Sequence, residues 1–69
     1  MLDADTARAC VRSLFRHHLA LALIRSPADP AGALSQARDQ VRRWRALVPL
    51  TEVGALLRHE VDELLGALV

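Results

Sequence analysis

Leu50, Leu57 and Leu64 recur every seven residues through the last third of the chain, and the apolar stripe they belong to is too wide for a zipper. Val61 and Leu68 occupy the neighbouring row, and Val53, Leu56 and Leu65 widen it further. A two-stranded coiled coil needs only a narrow seam. A stripe flanked by further apolar residues belongs in a bundle, where one helix touches at least two others. The sequence is therefore read as all-α: a small three-helix bundle, or a helical hairpin plus a third helix.

Two proline breaks divide the chain. Asp3, Asp5 and Thr6 are candidate N-cap or first-turn residues for a first helix over about 5–25. Its core face reads Ala7, Val11, Leu14, His18 and Leu21, while Arg8, Arg12 and Arg16 form the opposite stripe. Beyond Arg16 that stripe turns apolar, as Leu19 and Leu23, so the second half of the helix is apolar nearly all round. Such a helix is normally buried. Ser26-Pro27 ends it, because proline disfavours helix at the residue before it. Asp29-Pro30 is an N-cap followed by proline at the first helical position. The second helix is expected over about 30–48, with Leu34, Ala37, Val41, Trp44 and Val48 inward. Pro49 is read as a break rather than a kink, which leaves a third helix over about 50–68 with Thr51 as a possible cap. Residues 1–69 form one domain.

A chain of 69 residues buries only ~60% of its unfolded surface, so its core is marginal by itself. The sequence is 52% hydrophobic, mostly Leu, Ala and Val, with Phe15 and Trp44 its only aromatics. Oligomerisation or a partner chain is the usual source of further burial for so small a domain. Self-association, or docking on a larger protein, is therefore expected, with Leu19, Leu23, Leu57, Val61, Leu64 and Leu68 as anchors. Helix-in-groove association uses this kind of i, i+3, i+4, i+7 spacing.

Charge is uneven. Residues 1–25 and 26–48 each carry a net +2, and residues 49–69 carry −3, for a total of +1. A basic front and an acidic back fit complementary packing between helices or between copies. All nine basic residues are Arg. Arg38, Arg42, Arg43 and Arg45 make the second helix the best candidate for nucleic-acid binding, the alternative function. Against it, Trp44 lies in the apolar row, and a third helix carrying Glu60, Asp62 and Glu63 would repel phosphate.

Chemistry-bearing constellations are sparse. Cys10 with His17, and His59 with Glu63, share helix faces, which gives a metal-linked bundle as a second alternative. No pair has the spacing of a metal motif, so no metal ligand and no cofactor are assigned. The serines lack a visible base and orienting partner, there is no Gly-rich phosphate loop, and an enzyme is not expected. The single cysteine rules out an intramolecular disulfide and fits a reducing cytoplasm. The longest apolar run, Leu19 to Ile24, is too short to span a bilayer. Gly54 lies on the seam row and marks either a tolerated glycine or a point of close helix approach.

Overall fold

A computed structural model of the chain describes residues 2–68. The described residues form three helices and no strand: α1 (Ala4–Arg25), α2 (Pro30–Leu47) and α3 (Glu52–Ala67). Each begins on a side chain that accepts a hydrogen bond from an otherwise unsatisfied first-turn amide. The Asp3 carboxylate accepts from the Thr6 N–H at 2.7 Å, Asp29 from Gly32 at 2.9 Å, and the Thr51 hydroxyl from Gly54 at 3.0 Å. Pro30 occupies the first turn of α2, where its missing N–H costs nothing.

Pro49 separates α2 from α3. Val48 is extended, as the residue before proline prefers to be, and α3 starts only after Thr51. The third helix thus begins two residues later than its apolar pattern implies. Leu50, first of the seven-residue row, falls outside the helix and is 91% exposed. The joint is tied down. The Pro49 carbonyl accepts from the Thr51 N–H at 2.9 Å and from Arg58 Nη1 at 3.0 Å, and the same Arg58 nitrogen reaches the Val48 carbonyl at 3.2 Å. Gly54 packs directly beneath this turn, and a Cβ there would run into the Pro49 carbonyl oxygen. The close approach at Gly54 is therefore to the backbone of its own joint.

The helices run up, down and up. Arg38 meets Leu68, Arg45 meets Asp62, and Arg58 meets Val48, so α2 and α3 are antiparallel. Arg8 lies against Glu60, which sets α3 parallel to α1 and brings Ala67 level with about Phe15. The second half of α1 accordingly packs on α2 rather than on α3. This overlap accounts for an elongated molecule of 40 × 20 × 20 Å.

The centre is small. Val11, Phe15, Ala37, Val41 and Val61 form the buried cluster, and Leu14, Leu19, Leu34, Trp44, Leu57, Leu64, Leu65 and Leu68 close round it half-exposed. Ala7, Ala22, Ala33 and Ala37 put small side chains in the interior of α1 and α2, which lets those helices approach closely. The largest side chains sealed completely are valines. Each is worth about 1.5–3 kcal/mol on full burial, which leaves little reserve in a domain of this size.

Candidate interaction surface

The four anchors expected on the third helix are used inside the molecule. Val61 is fully buried in the core cluster and has no surface to offer a partner. Leu57, Leu64 and Leu68 pack round that cluster, as does Leu19 on α1, and Leu23 is half-buried. The reason is geometric: the wide stripe of α3 is consumed by contact with both other helices at once. Its surplus width is the width of two intramolecular interfaces.

The exposed aliphatic side chains lie elsewhere. Ile24 is 76% exposed and Leu47 81%, and Leu21, Leu50 and Val53 are also open. Leu50 and Val53 stand at the locked α2–α3 joint. Leu21 belongs to the α1–α2 face turned away from α3; helix periodicity puts Leu47 on the same side of α2, toward the other end of this antiparallel hairpin from Ile24. On that face Leu21 lines a groove of about 330 Å³ with His18, Ala22, Arg25, Gln36, Asp39, Gln40 and Arg43. Leu47 continues the Gln40–Arg43 row one turn further along α2, four residues past Arg43. On α1, Thr6, Ala9, Cys10, Ser13, Leu14 and His17 line a shallow, uncharged patch, and Ile24 lies two turns beyond His17 on the same side. This whole outer stripe of α1 lacks a charged side chain, although a quarter of the sequence is charged. His18, expected in the core, is half-buried and forms part of the groove wall.

The arginines of α2 do not form a common basic edge. Arg38 donates to the Leu68 carbonyl at the end of α3. Arg42 pairs with Asp39 at 3.2 Å. Arg45 grips Asp62 with two parallel bonds, Nε to Oδ1 at 2.8 Å and Nη2 to Oδ2 at 3.0 Å. Of the four named for nucleic acid, only Arg43 lacks an intrachain partner among the described residues. Trp44 packs on the core cluster and offers no stacking platform. The basic-front, acidic-back asymmetry is spent largely within the fold, through Arg45–Asp62 and Arg8–Glu60.

A second groove, of about 510 Å³, separates α1 from α3. Arg8, Arg12, His59, Glu60 and Glu63 line it over Val11, Leu64 and Ala67. In it Arg8 faces Glu60 at 3.4 Å, and His59 lies 3.9 Å from Glu63. The groups named for a metal are not gathered: Cys10 and His17 lie on the outer patch of α1, and His59 lies in this groove on α3. Among the described residues no three His, Cys, Asp or Glu side chains are placed to hold an ion. No described helix is long and apolar enough to cross a membrane.

Leu21, expected on the core face of the first helix, is instead 36% exposed, and sequence reasoning did not single out the exposure of Leu47 or Ile24. Comparison with protein-family models, with curated proteins and with solved structures gives no match.

Proposed function

We propose that this chain is a non-enzymatic protein–protein interaction module that docks through the α1–α2 face opposite α3. The observation that carries the reading is the exposure of Leu47 and Ile24 beside an uncharged outer stripe on α1 and a groove whose charged lining is Arg25, Asp39 and Arg43. A surface helix ordinarily turns charge outward, and contiguous apolar surface marks a contact site. Both walls of the face are N-capped helices, so the docking surface is already formed in the free chain and little ordering entropy is lost on docking. Elsewhere the larger part of the charge is paired within the chain, Leu50 and Val53 being the open aliphatic residues at the α2–α3 joint, and among the described residues the small, alanine-rich core encloses no deep cleft.

The test is photo-crosslinking in cells that express the protein natively. A photoreactive residue at Leu47 or Ile24 is expected to give a discrete adduct that one at Glu52 or Asp62 does not. Adducts that are equally diffuse from all four positions, or absent from all, would sink the reading. The mass of the adduct, with light scattering on the purified chain, separates a second copy from a larger protein.

A further inference from the structure

The unspent charges of the bundle are sorted by helix. Arg8, Arg42 and Arg45 meet carboxylates of the chain, and Arg38 and Arg58 meet backbone carbonyls. Arg12, Arg16, Arg25 and Arg43, all on α1 and α2, have no such partner among the described residues. Two of these, Arg25 and Arg43, line the groove on the docking face together with His18 and the side-chain amides of Gln36 and Gln40. The only carboxylate in that lining is Asp39, already held by Arg42. The face thus couples exposed aliphatic groups to guanidinium groups that lack an anion.

We infer that the occupant of this face is an acidic amphipathic helix of another protein, with carboxylates on Arg25 and Arg43 and an aliphatic stripe over Leu21, Ile24 and Leu47. The inference rests on the docking reading above and adds the chemistry of the partner. A guanidinium grips a carboxylate with two parallel bonds, which sets register, while the aliphatic contact supplies most of the affinity. A nucleic-acid backbone would satisfy the two arginines but gain nothing from covering the three aliphatic side chains, and the remaining α2 arginines are already spent. A second copy could offer the outer stripe of α3, which carries Glu52 and Glu63. That stripe lies on the far side of the bundle, so copies would pair head to tail and the contact would not close.

Three defined probes test this by titration into isotope-labelled protein. Two are synthetic helical peptides with the same leucine stripe, one flanked by Glu and one by Lys; the third is oligo-dT. The Glu peptide is expected to bind roughly tenfold tighter than the Lys peptide and to shift the resonances of Leu21, Ile24 and Leu47. The double variant Arg25→Glu/Arg43→Glu should reverse that order. Both side chains are exposed and unpaired, so an unchanged melting curve will show that the variant is folded. Equal binding of the two peptides overturns the acidic preference and leaves the docking reading standing. Oligo-dT binding more tightly than the Glu peptide, shifts confined to α3, or no binding by either peptide each overturn the inference as well, while the crosslinking experiment judges the docking reading separately.

Discussion

Among the described residues Glu60 is the one charged residue sealed inside the bundle, and Arg8 is its only ionic partner: Oε1 lies 3.4 Å from Arg8 Nη2. The pair is lopsided. The Glu60 side chain is 4% exposed and the Arg8 side chain 49%, so the arginine also reaches toward Asp5 at 3.5 Å. Removing one member of a buried pair costs more than neutralising the other, because it strands a desolvated charge. Arg8→Ala should therefore destabilise the fold by about 1–2 kcal/mol, and Glu60→Gln by less, with the double variant close to Glu60→Gln alone. Urea unfolding of the three variants measures this. A double variant as unstable as the sum of the singles would show that the two groups are not coupled.

Gly54 is fixed by the Pro49 carbonyl above it. Gly54→Ala removes a helix-weakening glycine, which by propensity alone would favour the folded state by up to ~1 kcal/mol. The clash is expected to win, since its other party is backbone held by Thr51 and Arg58. The melting temperature should fall by an amount equivalent to about 1–3 kcal/mol. A rise would show that the joint yields.

Val61 and Leu47 are both aliphatic residues of the apolar pattern, yet they should respond oppositely. Val61→Ala opens a void in the sealed core and should cost about 2 kcal/mol of stability. Leu47→Ser removes an exposed side chain and should leave the melting curve within about 0.5 kcal/mol of the parent while abolishing crosslinking from the docking face. Thermal denaturation and crosslinking on the same two proteins make the comparison. Equal destabilisation by both changes would mean that Leu47 is packed.

Asp3 makes the start of α1 sensitive to acid. The hydrogen bond from the Thr6 backbone N–H to the Asp3 carboxylate holds its pKa below the ordinary value of 3.8. A depressed carboxylate pKa contributes stability that is fully present above the unfolded value and is lost as pH falls through the folded one. Helicity followed by circular dichroism should therefore drop as the medium is acidified below pH 3.8. Asp3→Asn keeps the cap but should remove this component of the acid response. An identical acid profile for the Asn variant would place the transition on other carboxylates.

The elements themselves were legible in the sequence. Asp3, Asp29-Pro30 and Thr51 mark three helix starts by chemistry that acts within one turn, and Ser26-Pro27 and Pro49 stop the helices for equally local reasons. The apolar periodicity of 3.6 residues likewise placed Val11 and Val41 inward, whereas Val61, read as a docking anchor, proved to be sealed in the core. The arginines were not legible. Their positions on a helical wheel are alike, and only the antiparallel register of α2 and α3 sets Asp62 beside Arg45 and the end of α3 beside Arg38.

The sequence by itself determined three capped helices, a bundle rather than a zipper, and an interior of small aliphatic side chains. These follow from interactions spanning one or two turns. Tertiary structure decided which apolar residues remain outside. A row at the edge of an amphipathic arc faces in or out according to where the neighbouring helices lie, and that depends on loop geometry and axial register. The wide stripe of α3 proved to be largely two internal contacts side by side, and the open aliphatic surface fell to Leu50 and Val53 at its start and to Leu21, Ile24 and Leu47 on α1 and α2.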